Sequence, residues 1–264
     1  MSQSFSNRSF PNRAGAPSAL AFHRPNPTAG LRLFCFPYAG GAAQVYRDWG
    51  GLLPTVEVCP VQIPGRGARM FEGCFKDLPR LVESLARDLR GEFDRPFAFF
   101  GHSMGALVGF ELARLLRREH GLSPSHLFVS GRCAPQLPGR ERRLHALPEP
   151  EFMEELRLLN GTPREVLEHP ELMALMAPIL RADFQVCETY EYAPAPPLDC
   201  PVTAFGGLQD RVTREQLQGW AAQTAGRFLL RMFPGDHFFI NESRPLLLQT
   251  LARGLHAVEQ ELAA

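Results

Sequence analysis

From Leu31 onward, short apolar runs alternate with stretches whose apolar residues recur at helical spacing. This alternation predicts strands separated by helices. The predicted strands are Leu31–Phe36, Val56–Ile63, Phe97–Phe100, His126–Ser130, Val202–Phe205 and Phe228–Phe233. The predicted helices are Leu78–Phe93, Met104–Arg118, Glu149–Leu159, Pro170–Arg181, Glu215–Thr224 and Pro245–Leu262. The pattern indicates an α/β domain over residues 30–264, with a mostly parallel central sheet flanked by helices.

Two regions depart from this alternation. Residues 1–29 are rich in Ser, Asn, Arg, Pro and Gly, so we expect a poorly ordered tail with a short edge strand near Ala19–Phe22. About seventy residues separate the fourth and fifth strands, far more than a crossover needs. The two helices predicted within this interval, Glu149–Leu159 and Pro170–Arg181, could simply pack on the domain. Their place after the carboxyl end of a strand favours a helical lid insertion, at about residues 145–192.

Composition excludes several classes of function. The formal net charge of zero gives no electrostatic grip on nucleic acid or an anionic membrane. No stretch has the apolar length of a membrane span, and the N-terminus lacks the regions of a signal peptide. The six cysteines show neither a C-x-x-C pair nor metal-ligand spacing, which predicts free thiols and no metal. We therefore expect a cytoplasmic enzyme, working as a monomer.

The third predicted strand runs directly into Gly101-His102-Ser103-Met104-Gly105 and then into a helix. A bare G-x-S-x-G string also arises by chance in loops, but strand, sharp turn and helix together predict a nucleophile elbow. A Cβ at Gly101 or Gly105 would collide with the neighbouring strand and helix as the chain reverses. The pattern thus predicts the α/β-hydrolase fold, with Ser103 as the catalytic nucleophile.

A serine hydroxyl needs a base within hydrogen-bond reach. Of the eight histidines, His237 alone directly follows the last strand, at the edge of the sheet where Ser103 is expected. The acid should follow an earlier strand, and Asp210 lies in the loop after the fifth. Asp183, Asp199 and Asp236 are weaker alternatives, and a turn-forming role for Asp210 stays open.

Acyl transfer also needs N–H donors for the developing oxyanion. One is the backbone N–H of Met104, directly after the nucleophile. The small residues of Phe36-Pro37-Tyr38-Ala39-Gly40-Gly41-Ala42 let a second backbone approach the substrate, and Ala39 is the expected donor. A glycine turn into a helix is the alternative for that loop. In the lid, we expect the substrate contacts to be Leu172, Leu175, Met176 and Ile179.

Several motifs in this order resemble the type II thioesterases of polyketide and non-ribosomal peptide biosynthesis, which are close to medium-chain acyl-carrier-protein hydrolases. They are Phe36-Pro37-Tyr38-Ala39-Gly40-Gly41, Gln62-Ile63-Pro64-Gly65-Arg66-Gly67, Gly101-His102-Ser103-Met104-Gly105-Ala106, Pro178-Ile179-Leu180-Arg181-Ala182-Asp183-Phe184, Tyr190-Glu191-Tyr192 and Gly235-Asp236-His237-Phe238-Phe239. The resemblance covers about residues 31–255, although Asp236 stands where the family more often has glycine.

This resemblance implies hydrolysis of acyl thioesters on the phosphopantetheine arm of an acyl or peptidyl carrier protein, with no cofactor. Such enzymes usually clear stalled acyl groups. The alternatives are release of a finished medium chain, a general carboxylesterase, and a non-enzymatic module on the same fold.

Overall fold

Six strands form one sheet in this computed structural model, which describes residues 18–138 and 143–263. The strands are β1 (Arg32–Phe36), β2 (Glu57–Pro60), β3 (Phe97–His102), β4 (His126–Ser130), β5 (Val202–Gly207) and β6 (Phe228–Phe233). Their order is β2-β1-β3-β4-β5-β6, and every pairing between them is parallel. The predicted parallel sheet is confirmed, with β3 and β5 each running two residues past their predicted ends.

Helices cover both faces of this sheet. They are α1 (Trp49–Leu52), α2 (Leu78–Asp88), α3 (Met104–His120), α4 (Glu149–Leu159), α5 (Arg164–Leu167), α6 (Pro170–Glu188), α7 (Arg214–Gln218), α8 (Phe239–Glu242) and α9 (Arg244–Ala263). Alternate strand residues explain the two layers, because side chains along a strand point to opposite faces. Phe34 and Phe99 pack with α2, α3 and α7, whereas Leu33 and Phe100 pack with α1 and α9.

Local signals explain where several helices begin and end. The side chain of Asp77 accepts the Arg80 N–H and caps α2, and α3 ends at His120, directly before Gly121, which adopts a left-handed conformation. Two predicted helices are shorter than expected. The α2 helix ends at Asp88 and α7 at Gln218, and each is followed by a 3₁₀ turn instead of further α-helix.

The insertion between β4 and β5 forms a small helical layer of its own. Residues Phe152 and Leu156 of α4 pack against Met173, Ala177 and Leu180 of α6. The α6 helix runs to Glu188, beyond the predicted end at Arg181, and contains Pro178 in its interior. The short α5 helix was not predicted, since four residues are too few to show a period.

The predicted tail lies partly outside the described residues, which begin at Ser18. Near the predicted edge strand, Leu20 forms an isolated antiparallel bridge with Val61, and Ala19 is buried. Residues 139–142 also lie outside the described part. Among the helices of the described ranges, none has the length and hydropathy needed to cross a membrane.

Candidate active site

Ser103 lies between β3 and α3 in a strained turn. Its φ of 54° and ψ of −112° fall in a region that non-glycine residues rarely occupy. Two flanking glycines make this turn possible. A Cβ at Gly101 would lie 2.1 Å from the Gly105 carbonyl oxygen, and one at Gly105 would lie 2.0 Å from that of Phe36. The turn therefore has the geometry of a nucleophile elbow.

His237 and Asp210 meet at the carboxyl edge of the sheet. The Asp210 Oδ2 atom lies 2.9 Å from His237 Nδ1, and Asp210 Oδ1 accepts the Val212 N–H. The Asp210 side chain is 2% exposed and that of His237 25%. This pairing leaves His237 Nε2 as the ring nitrogen available to another group. Ser103 and His237 line the same cavity.

The three alternative carboxylates have other partners. Asp183 is buried in an ion pair with Arg66, and the exposed Asp199 lies near Arg117. Asp236 Oδ1 accepts the Phe238 N–H at 2.7 Å. Asp210 is thus the carboxylate that this structure places on the His237 imidazole.

His102 lies behind the site, away from the cavity. Its Nδ1 atom is 2.9 Å from Ser130 Oγ, and its ring lies 5.2 Å from that of His237. Burial, reinforced by the neighbouring His237, lowers the pKa of His102 well below the usual range for histidine. His102 therefore stays neutral and acts as a packing partner for His237.

Of the two expected oxyanion donors, Met104 follows Ser103 directly in the chain and Ala39 lines the same cavity as Ser103. Met104 is the first residue of α3, where backbone N–H groups have no partner within the helix. Ala39 follows β1 and lines the cavity together with Ser103. We call residues 37–42 the oxyanion loop. Parallel pairing of β1 with β3, with Phe36 opposite Gly101, brings this loop beside the elbow.

A cavity of about 1000 Å³ opens above these residues. From the sheet edge it is lined by Tyr38, Ala39, Ser103, His237 and Phe238, and from the insertion by Leu156, Leu159, Leu180, Phe184 and Cys187. Its polar and charged lining residues include Arg132, Gln136, Glu188, Glu191, Arg211 and Gln216. Burial, partly opposed by Arg132, raises the pKa of the Cys187 thiol to about 11, so Cys187 stays protonated.

The four lid residues expected to contact substrate lie elsewhere. Leu172 and Leu175 are 42% and 64% exposed, while Met176 and Ile179 are half-buried. None of the four belongs to the described cavity lining. The reason is the orientation of α6, whose Met173 and Ala177 face α4. The α6 residues that do line the cavity are Leu180, Phe184, Cys187 and Glu188, close to its C-terminal end.

The family model of the thioesterase domain matches residues 31–257 of this sequence. The chain belongs to the thioesterase family. It is a thioester hydrolase, and its resemblance to type II thioesterases is confirmed by relatives at both the sequence and the structural level.

The gramicidin S biosynthesis protein GrsT of Aneurinibacillus migulanus is 47% identical over 88% of this chain and 92% of its own. The type II thioesterase BorB from the borrelidin biosynthetic cluster is 37% identical, with a TM-score of 0.78 over 88% of this chain and 94% of its own.

Another relative has a name that suggests different chemistry. It is the linear gramicidin dehydrogenase LgrE of Brevibacillus parabrevis, 46% identical over 87% of this chain and 89% of its own. A dehydrogenase of this fold class would need a dinucleotide loop such as Gly-x-Gly-x-x-Gly after a strand. The present sequence contains no such motif, and β3 leads into the Ser103 elbow instead.

Proposed function

We propose that the protein hydrolyses acyl thioesters carried on the phosphopantetheine arm of an acyl or peptidyl carrier protein, and that it clears stalled acyl groups from an assembly line. One observation carries this proposal: Ser103, His237 and Ala39 line a single large cavity beneath a helical insertion, with Asp210 bonded to the far side of His237. The similarity to GrsT, a gramicidin S biosynthesis protein, and to BorB, from the borrelidin biosynthetic cluster, supports the same substrate class.

In the proposed mechanism, His237 Nε2 takes the Ser103 proton as Oγ attacks the thioester carbonyl. The N–H groups of Ala39 and Met104 stabilise the oxyanion of the tetrahedral intermediate. Its collapse breaks the C–S bond, and the sulfur takes the proton from His237 and leaves as the pantetheine thiol. A water molecule, deprotonated by His237, then attacks the acyl-Ser103 ester. The ester C–O bond breaks as His237 returns the proton to Ser103 Oγ, and the acyl group leaves as the carboxylic acid. Asp210 holds His237 in the required tautomer throughout.

The size and lining of the cavity favour an editing role. About 1000 Å³ is at the upper end of ordinary ligand sites, and both apolar and charged or polar side chains line it. Such a cavity accepts acyl groups of different length and polarity. Release of one finished medium chain, in contrast, calls for a narrower apolar channel.

We further propose that the carrier protein is the only macromolecular partner that the reaction needs, that the enzyme acts as a monomer, and that it works in the cytoplasm. All six cysteines are unpaired, which suits a reducing compartment. The carrier protein can stay outside the cavity, because its pantetheine arm is long enough to deliver the acyl group to Ser103.

Filling the cavity from the lid should change which acyl groups are cleaved. Leu159 lines the cavity at the end of α4. Leu159→Trp is expected to lower kcat/KM for an octanoyl thioester about tenfold more than for an acetyl thioester, because the indole occupies space that only the longer chain uses. Rates on an acyl-chain series would measure this.

Leu175→Trp is the matched control, since Leu175 is on the exposed side of α6. It should leave the chain-length profile unchanged. Equal losses for both chain lengths in Leu159→Trp, or a shifted profile in Leu175→Trp, would contradict the proposed acyl site.

The substrate class is tested with one acyl group on three leaving groups. Purified enzyme is assayed separately with three octanoyl substrates: a carrier-protein thioester, a coenzyme A thioester and an oxygen ester. We expect the highest kcat/KM for the carrier-bound thioester and the lowest for the oxygen ester. Preference for the oxygen ester would indicate a carboxylesterase. In the acyl-chain series described above, activity confined to one chain length would indicate release of a finished product.

A further inference from the structure

A buried ion pair lies behind the oxyanion loop and joins it to the lid. The Arg66 guanidinium meets the Asp183 carboxylate at two points, with Nη1 2.5 Å from Oδ2 and Nη2 2.6 Å from Oδ1. The side chains are 5% and 2% exposed, respectively. Arg66 belongs to the loop after β2, and Asp183 to α6. The pair therefore connects two segments that are 117 residues apart in the sequence.

The same pair holds the backbone of the oxyanion loop. Asp183 Oδ2 accepts the Gly40 N–H at 2.7 Å, and Arg66 Nη1 donates to the Gly41 carbonyl oxygen at 3.2 Å. One turn before Asp183, Leu180 packs directly on Gly40. A Cβ at that glycine would lie 2.5 Å from Leu180 Cδ2, and its φ of +76° itself favours glycine. Gly40 and Gly41, the two residues after Ala39, are thus held by contacts from α6 and from the loop after β2.

Neither ionic side chain is part of the described cavity lining, so neither has the position of a catalytic group. A buried ion pair is also a poor source of stability, because desolvation offsets most of the attraction. The two charged groups instead fix the orientation of the neighbouring backbone. A bidentate guanidinium and a carboxylate fix the orientation of the peptide groups that they contact.

We propose that Arg66 and Asp183 are positioning residues that orient the oxyanion loop so that the Ala39 N–H points at the developing oxyanion. Because Asp183 belongs to α6, this orientation depends on the packing of α6 against the loop. This inference rests on the proposed role of Ala39 as a donor. When α6 packs against the oxyanion loop, the loop keeps the conformation in which the Ala39 N–H can donate to the oxyanion. When α6 moves away, the Gly40 N–H loses its acceptor, Asp183, and Gly40 loses its contact with Leu180.

A graded series of substitutions tests this proposal. Asp183→Ala removes the acceptor and is expected to lower kcat about 100-fold, close to the loss of one oxyanion donor. Asp183→Asn keeps an oxygen that can accept the Gly40 N–H, so about a tenfold loss is expected. Arg66→Lys keeps the charge but loses the forked contact, and should also cost about tenfold. KM should change little in all three.

The assay substrate is S-acetyl-N-acetylcysteamine, a short mimic of the phosphopantetheine thioester. Affinity for butylboronic acid is measured in parallel, because its adduct with a serine is tetrahedral and anionic. If the pair positions the oxyanion loop, each variant should weaken boronate binding by the same factor as it lowers kcat/KM.

Glu57→Gln is the matched control. Glu57 is equally buried and pairs with Arg32 and Arg95, but it lies at the first residue of β2, away from the carboxyl edge. It should lower the melting temperature while kcat stays within about twofold of the unsubstituted enzyme. All assays are run at a temperature where circular dichroism shows each variant to be folded.

Equal losses of kcat in Asp183→Ala and Glu57→Gln would overturn the proposal, as would a loss of kcat without weaker boronate binding. If Asp183→Ala does not fold, Asp183→Asn and Arg66→Lys decide by the same criteria. No carrier protein is present in these assays. Failure on carrier-bound substrates with normal behaviour here would contradict the proposed function and leave the positioning role standing.

Discussion

Replacing Ser103 with alanine is expected to abolish thioester hydrolysis, with a loss of about a million-fold in kcat. In the proposed mechanism its hydroxyl is the sole acceptor of the acyl group, and Cys187 in the same cavity stays protonated. The fold should survive, because alanine fits wherever serine does and the flanking glycines, not the Ser103 side chain, make the turn. Stopped-time assays on a carrier-bound thioester would measure the loss.

Labelling with a fluorophosphonate provides the control for this substitution. The unsubstituted enzyme should gain one label on the peptide that contains Ser103, and Ser103→Ala should gain none. Residual turnover at a substantial fraction of the original rate in folded, pure Ser103→Ala would assign the nucleophile to another residue.

Asp210→Asn is expected to lower kcat about 10⁴-fold. In the structure the buried Asp210 carboxylate lies 2.9 Å from His237 Nδ1 and requires a proton on that nitrogen. The asparagine amide can present its NH₂ there and favours the other tautomer. His237 Nε2 would then carry a proton and could not accept one from Ser103. Substrate binding should change little, so the loss should appear in kcat.

Asp236→Asn is the matched comparison, one residue before His237. Its carboxylate accepts the Phe238 N–H and contacts Asn160, without any bond to the imidazole. We expect less than a tenfold loss of kcat. If Asp236→Asn were as damaging as Asp210→Asn, the third member of the triad would have to be reassigned.

Much of the sheet and the elbow could be predicted because both depend on local patterns. Apolar runs between turn residues predicted all six strands, and the glycines of Gly101-x-Ser103-x-Gly105 can be interpreted from sterics alone. The meeting of Ser103, Asp210 and His237 could also be predicted, because each follows a strand and parallel strands bring their carboxyl ends to one edge.

The lid shows where such local reasoning fails. The α6 helix is apolar around much of its circumference, so its period could not indicate which side faces Ser103. Leu175 is as apolar as Leu180, yet the first is exposed and the second is buried against Gly40. The choice depends on how α6 packs against α4 and the oxyanion loop, which are tertiary contacts.

The Arg66–Asp183 pair illustrates the same limit for charged residues. In the sequence, Asp183 is an alternative acid and a member of one motif, and Arg66 is a member of another, with nothing that pairs the two. One signal could have raised the question: an aspartate on the buried side of a largely apolar helix needs a partner. The identity of the partner, 117 residues away, comes only from the fold.

The most direct test of the central claim replaces Ser103 with 2,3-diaminopropionic acid, whose amine would form a stable amide where serine forms a transient ester. The variant is mixed with an octanoyl thioester of a phosphopantetheinylated carrier protein, and both proteins are weighed by intact-mass spectrometry. We predict that the carrier loses its octanoyl group, that the enzyme gains it, and that peptide mapping places it on residue 103. An unmodified variant, or octanoyl on any other residue, while the unsubstituted enzyme consumes the same thioester, would contradict the account.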